Sequence, residues 1–182
     1  AENLSRGDSA FDANFNSIGV GLKTFICEKQ FSTEKVAEFN KLSVQLKQYN
    51  GKELALKLAE FRNERIELAN RLYNIDNSLY HIVARKSNEL ILFETDYDII
   101  DTNNINSVKE SQSGLQFNDG KNFYSYNFSK STLFRKFEIP QSNFRLPIEI
   151  IDDPYKLLLE FFEEIKEIST TKEFINKRRK LR

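Results

Sequence analysis

The chain has 182 residues, with 27 Lys and Arg against 27 Asp and Glu, so its formal net charge at pH 7 is zero. This balance argues against a generally basic nucleic-acid coat protein, and the length fits one domain with a single substantial core. One cysteine and one histidine argue against a disulfide framework and against a structural zinc site. No apolar run is long enough to span a membrane, so we expect a cytoplasmic protein with no membrane partner.

We expect residues 1–182 to form a single domain that ends in a basic tail at 177–182. The sequence contains no methionine, even at its first position. Two explanations stay open: the initiator was removed before Ala1, or the chain is a fragment of a longer protein.

Residues 1–17 are polar and rich in turn-forming residues, and we expect a loop there. Residues 18–27 alternate at period two and predict a strand, on which Lys23 shares a face with Gly21. The small glycine leaves space above that face for a ligand. A turn before this strand would bring Asp12 alongside it, so the candidate functional region begins at Asp12 and ends at Lys23.

Two helices are predicted after this strand. Ser32-Thr33-Glu34 has the composition of a helix start, a hydroxyl cap followed by an acid, and apolar residues recur at helical spacing as far as Gln48. A second amphipathic helix is predicted over 52–73. Its core side carries Leu58, and Arg62 belongs to the charged residues of the solvated side.

The second half of the chain alternates at period two from Leu79 and is predicted to be rich in strands. Asn118-Asp119-Gly120-Lys121 lies between two such runs and predicts a hairpin turn. Asp152-Asp153-Pro154 predicts the start of a further helix. The apolar residues expected on its buried side include Tyr155, Leu158, Leu159 and Phe162. The order of elements predicts a mixed α/β (α+β) fold, a central mixed sheet flanked by helices.

The run Gly19-Val20-Gly21-Leu22-Lys23-Thr24 resembles the GVELKT strand of MutH-type mismatch-repair endonucleases. More broadly, it is similar to the motif of the PD-(D/E)xK nucleases, which include many type II restriction enzymes. The resemblance covers the chain from Asp12 to Asn40. It implies a restriction-endonuclease-like fold, Mg²⁺-dependent cleavage of double-stranded DNA, and a homodimer that cuts both strands.

The resemblance also assigns roles to individual residues. Asp12 matches the first metal ligand, and Lys23 matches the lysine that positions or activates the attacking water and stabilises the scissile phosphate. Gly21 stands where the family has its second acid, and glycine has no side chain with which to bind a metal. Some members of the superfamily supply that carboxylate from the following helix, which makes Glu38 the candidate here. Asp12 and Glu38 would then hold Mg²⁺.

Two other acids are alternatives to Glu38 as the second carboxylate. Glu34 lies one helical turn earlier, and Asp8 lies four residues before Asp12. A purely structural interpretation also stays open, in which Lys23 is a surface residue and Asp12 only caps a turn.

A cluster of hydroxyls and cations follows the aromatic residues near position 123. Such groups bind phosphate oxygens, and cations beside aromatic rings can line a nucleic-acid groove. The expected DNA contacts are Lys130, Ser131, Arg135 and Lys136. The alternative for this cluster is an ordinary polar strand edge guarded by lysine.

The predicted function is therefore a metal-dependent endonuclease that acts on double-stranded DNA. The main alternative is a non-catalytic DNA-binding module with a degenerate nuclease fold, in which Gly21 marks a lost site. A protein-interaction domain without a nucleic-acid role is a third class.

Overall fold

The computed structural model describes residues 2–4 and 9–170. The chain divides into two compact units, residues 1–148 and residues 149–182, and each is described by itself. The predicted basic tail at 177–182 lies outside the described residues, and the single domain over 1–182 stays a prediction.

The described elements are named in chain order. The strands are β1 Glu2–Asn3, β2 Ala13–Phe15, β3 Ile18–Ile26, β4 Phe31–Glu38, β5 Asn77–Arg85, β6 Glu89–Asp96, β7 Asn106–Glu110, β8 Gly114–Asn118, β9 Phe123–Asn127, β10 Thr132–Glu138 and β11 Phe144–Pro147. The helices are α1 Ser43–Leu46, α2 Gly51–Tyr73 and α3 Pro154–Thr170, with short 3-10 turns at Asn40–Leu42 and Thr102–Asn104.

The strands of the first unit form two sheets. The first sheet has six strands in the order β1-β2-β3-β5-β6-β11, and it is mixed because β3 and β5 run parallel while its other pairs are antiparallel. The second sheet has five strands in the order β4-β10-β9-β8-β7, and all of its pairs are antiparallel. The predicted mixed α/β class with a mixed sheet is confirmed, whereas its likeness to restriction endonucleases stays a prediction.

Helix α2 packs across the cores of both sheets. Its first half places Leu54 and Leu58 in the apolar cluster of the second sheet, and its second half places Ile66 and Ala69 in the cluster of the first. The helix ends at Asn74, whose left-handed backbone (φ 51°) is a common helix stop. The two cores therefore meet along one helix, close to the middle of its length.

The helix predicted to begin at Ser32 is wrong over its first half. Residues 31–38 form strand β4, which pairs with β10 from Phe31 opposite Glu138 to Glu38 opposite Thr132. Ser32 Oγ donates a hydrogen bond to Glu34 Oε1, two residues along one strand face, so the residues of the expected cap bond to each other instead. Pairing with a distant strand outweighed a weak local preference.

The loop predicted for residues 1–17 is also partly wrong. Strands β1 and β2 lie within it, and β2 forms a tight hairpin with β3 through Asn16 and Ser17. Both turn residues have positive φ, 49° and 61°, as a type I′ hairpin turn requires. The hairpin confirms the predicted turn that brings Asp12 alongside β3.

The described part of the second unit contains helix α3. The predicted start is confirmed, because Asp153 Oδ1 accepts a hydrogen bond from Lys156 N at 2.9 Å. The predicted burial of its apolar side is wrong, since the four side chains named for it are exposed: Tyr155, Leu158, Leu159 and Phe162. Within the described part of its own unit, α3 has no second element against which to pack. None of the described helices is long and apolar enough to cross a membrane.

Candidate active site

A cleft of about 250 Å³ lies in the first unit, between strand β3, the edge strand β4 and helix α2. Asp12, Lys23 and Glu38 all line it. The fold thus brings together the three residues that the sequence pattern singled out, although they belong to different elements.

Asp12 is fixed beside β3 by the hairpin. Its backbone N–H donates to the Val20 carbonyl at 2.9 Å, which continues the pairing of β2 with β3. Its carboxylate Oδ2 accepts a hydrogen bond from Leu22 N at 2.7 Å. Because two backbone bonds hold it, the Asp12 carboxylate has a defined orientation at the cleft.

Lys23 lies on β3 and extends toward the second sheet. Its Nζ donates to the carbonyl of Lys35 at 2.7 Å, and the same Nζ lies 5.8 Å from the centre of the Tyr80 ring. Since β4 is an edge strand, its open side offers carbonyls to such a donor. Burial lowers the pKa of Lys23, and the nearby Asp12 carboxylate opposes that shift.

Glu38 reaches the cleft from the end of β4. Its Oε1 accepts a hydrogen bond from Lys35 Nζ at 2.7 Å, and both side chains are about half exposed. Glu38 lies on a strand of the second sheet, so the prediction that it lies on a helix is wrong. The residue itself lines the cleft. The alternative Glu34 is not among the described residues that line the cleft, and Asp8 lies outside the described residues.

The position of the family's second acid is filled by aromatic rings. A Cβ atom built on Gly21 would lie 2.6 Å from Cε2 of Tyr97 and 2.9 Å from Cδ1 of Tyr80. The two rings stack with their centroids 4.1 Å apart, and Tyr97 OH donates to the Ala10 carbonyl at 2.6 Å. Gly21 is therefore required for close packing, and a longer side chain has no space there.

The described residues contain no group of three or more His, Cys, Asp or Glu side chains that could hold a metal ion. Mg²⁺ at phosphodiester sites commonly uses one or two carboxylates and completes its shell with water and substrate oxygens. Two carboxylates, those of Asp12 and Glu38, are among the described residues that line the cleft.

Arg62 also lines the cleft, and the sequence interpretation missed it. Its side chain is 2% exposed, its Nη1 donates to the Asp98 carbonyl at 2.6 Å, and its guanidinium lies 5.3 Å from the centre of the Tyr97 ring. The predicted place on the solvated side of α2 is thus wrong. Spacing gave the signal: Arg62 is four residues from both Leu58 and Ile66, so it continues the buried stripe.

Two of the four expected DNA contacts are buried. Arg135 is 4% exposed and donates to the Asp96 carbonyl at 2.8 Å, and Ser131 is 7% exposed. A register shift between Leu133 and Phe134 precedes Arg135, whose guanidinium lies over the rings of Tyr80 and Phe137. The contacts of Ser131 and Arg135 with a DNA backbone stay a prediction, and both side chains are buried in this fold.

The other two expected DNA contacts are accessible but do not line the cleft. Lys130 is exposed in the turn between β9 and β10. Lys136 lies on the outer face of β10, 4.4 Å from the centre of the Phe31 ring, and pairs with Glu138 at 2.6 Å. Neither lines the cleft of Asp12 and Lys23.

Comparison of the chain with protein families, with curated proteins and with solved structures gave no match. The function of the cleft is therefore inferred from its residues and their geometry.

Proposed function

We propose that this protein is a metal-dependent endonuclease that cleaves double-stranded DNA in this cleft, with Mg²⁺ bound by Asp12 and Glu38. The observation that carries the proposal is the common location of Asp12, Lys23 and Glu38 on one cleft. A restriction-endonuclease-like arrangement, a homodimer that cuts both strands, and a cytoplasmic location belong to the same proposal.

The charge of the cleft supports a polyanionic substrate. The described residues that line it include four cations and two carboxylates. The cations are Lys23, Lys35, Arg62 and Arg65. An excess of positive charge in a concave site attracts the phosphates of a nucleic acid.

Hydrolysis forms a bond between the water oxygen and phosphorus, breaks the bond from phosphorus to the leaving sugar oxygen, and transfers one water proton to that oxygen. Mg²⁺, when bound, would polarise the phosphate and the attacking water. Asp12 is oriented for this role by the Leu22 N–H. The charged form of Lys23 attracts the phosphate, and its lowered pKa makes proton release from Nζ easier than from an exposed lysine.

The test is incubation of a plasmid and a short duplex with the protein in Mg²⁺, in Mn²⁺ or in EDTA. Cleavage by the parent in Mg²⁺, reduced at least about a hundredfold by Asp12→Asn and by Lys23→Met, supports the proposal. Asp76→Asn and Lys29→Met, two exposed residues outside the cleft, are the matched controls and retain cleavage. Absence of cleavage by the parent in both Mg²⁺ and Mn²⁺ rejects the enzyme.

The second candidate function is a non-catalytic DNA-binding module. The closed position at Gly21 and the lack of a three-ligand group among the described residues favour it. It predicts binding to duplex DNA that falls steeply with salt, no cleavage by the parent, and no effect of Asp12→Asn on binding beyond the change of one charge.

A further inference from the structure

Arg62 is a buried cation whose contacts with the described residues are all with neutral groups. Its Nη1 donates to the Asp98 carbonyl, its Nη2 lies 3.5 Å from Tyr80 OH, and its guanidinium faces the Tyr97 ring. Its Nε has no hydrogen-bond partner in the part of the chain that the structure describes. Among the described residues, no carboxylate forms an ion pair with Arg62.

Arg135 provides an internal comparison, because it is buried to nearly the same degree. It donates to the Asp96 carbonyl and lies 4.8 Å from the centre of the Phe137 ring, and its Nε also lacks a partner among the described residues. However, its Nη2 lies 4.0 Å from the carboxylate Oδ2 of Asp98. Arg135 has a counter-charge and is not among the residues that line the cleft. Arg62 lines the cleft and has no counter-charge within the described part of the chain.

An unpaired charge in a protein interior is unfavourable, because little water is present to stabilise it. Arginine stays protonated under all ordinary conditions, so Arg62 cannot lower this cost by losing its proton. The cleft is the open space beside it, and an anion bound there would supply the missing counter-charge.

We propose that the cleft contains a phosphate-binding subsite in which Arg62 is the buried counter-charge, with Lys23 on the side of β3. The inference rests on the proposed function in that it takes the anion to be a backbone phosphate of the nucleic acid. Arg62 suits this role because the Asp98 carbonyl and the Tyr97 ring hold its guanidinium in place before the ligand arrives. It is a binding residue from α2, outside the region of the strand motif.

The experiment measures phosphate binding without metal, so that it does not depend on cleavage. Inorganic phosphate is titrated calorimetrically in EDTA, and a short DNA duplex is titrated by fluorescence anisotropy in the same buffer. Arg62→Met is compared with Arg135→Met, since both remove a buried guanidinium that bonds a carbonyl and stacks on an aromatic ring. We expect Arg62→Met to weaken phosphate binding about tenfold to a hundredfold and Arg135→Met to leave it within about twofold. Equal losses in the two variants, or no loss in Arg62→Met, overturn the proposal.

A second measurement uses the unaltered protein, in case Arg62→Met does not fold. Phosphate should raise the unfolding temperature above that in chloride at the same ionic strength, because a ligand of the folded state stabilises it. No such rise overturns the subsite. Phosphate binding that depends on Arg62, found together with no cleavage in Mg²⁺, supports the subsite and rejects the endonuclease. Cleavage that is unchanged in Arg62→Met supports the endonuclease and rejects the subsite.

Discussion

Tyr97 occupies the space into which a side chain at position 21 would extend, with its Cε2 atom 2.6 Å from the Cβ that Gly21 lacks. Tyr97 is held there by its stacking on Tyr80 and by its hydroxyl bond to the Ala10 carbonyl. The glycine and the tyrosine pair are therefore one packing unit. A carboxylate at position 21 is incompatible with this arrangement, and any second acid of the cleft has to come from another element.

The first prediction concerns Gly21 itself. Gly21→Ala should lower the free energy of unfolding by about 1–3 kcal/mol, because the added methyl group forces the two tyrosine rings to move. Gly21→Glu, which restores the acid of the family motif, should destabilise more and should not raise cleavage. Denaturant unfolding measures both. The control is Leu22→Ala, an exposed neighbour on the opposite face, with an expected change within about 0.5 kcal/mol. A stable Gly21→Glu variant with higher activity contradicts the prediction.

The second prediction separates the chemistry of Asp12 from its structural role. Asp12→Asn retains an oxygen that can accept the Leu22 N–H, so its unfolding free energy should stay within about 0.5 kcal/mol of the parent. Asp12→Ala loses that acceptor and should be less stable by about 1–2 kcal/mol. Cleavage in Mg²⁺ should be lost in both. If Asp12→Asn retains cleavage, Asp12 only fixes the hairpin.

The third prediction concerns Lys23. Lys23→Met loses the bond to the Lys35 carbonyl but also removes a desolvated charge, so at neutral pH its stability should stay within about 1 kcal/mol of the parent while cleavage is lost.

Burial lowers the pKa of Lys23, so the unfolded chain binds more protons at this group between the lowered pKa and 10.5. Its contribution to stability therefore rises with pH through that window. Unfolding curves from about pH 7 to about pH 10 should show the parent gaining stability relative to Lys23→Met. A constant difference contradicts this.

The fourth prediction concerns the buried phenols of Tyr97 and Tyr124. Burial raises the pKa of both above their usual value of 10.0. The stability that these protonated groups contribute is complete below pH 10.0 and decreases as the pH rises further, because the unfolded chain loses the phenol protons first. Above pH 10, each buried phenol lowers the free energy of unfolding by about 1.4 kcal/mol per pH unit. Tyr97→Phe should remove one of these two contributions. Alkaline unfolding measures it, with the exposed Tyr155→Phe as control. An unchanged slope in Tyr97→Phe would count against the buried state of this phenol.

Local sequence signals were reliable where the chain pairs with its near neighbours. The hairpin turn at 118–121, the start of α3 after Asp153 and the extent of α2 all follow the predicted pattern. The signals failed at β4, because a hydroxyl followed by an acid is compatible with a strand as well as with a helix start. Pairing with β10, about a hundred residues later, decided between them, and no local pattern contains that information.

The sequence by itself determined the mixed class of the fold and the pairing of Asp12 with the strand of Lys23, because a two-residue turn and alternating residues act over short distances. Only the tertiary structure decided that Glu38 reaches the same cleft from a second sheet, that Arg135 is buried, and that Arg62 lies under the cleft without a carboxylate partner among the described residues. The physical reason is that burial and charge pairing depend on which distant elements pack together. A charged residue on a helix is exposed to solvent or buried according to which elements pack against it.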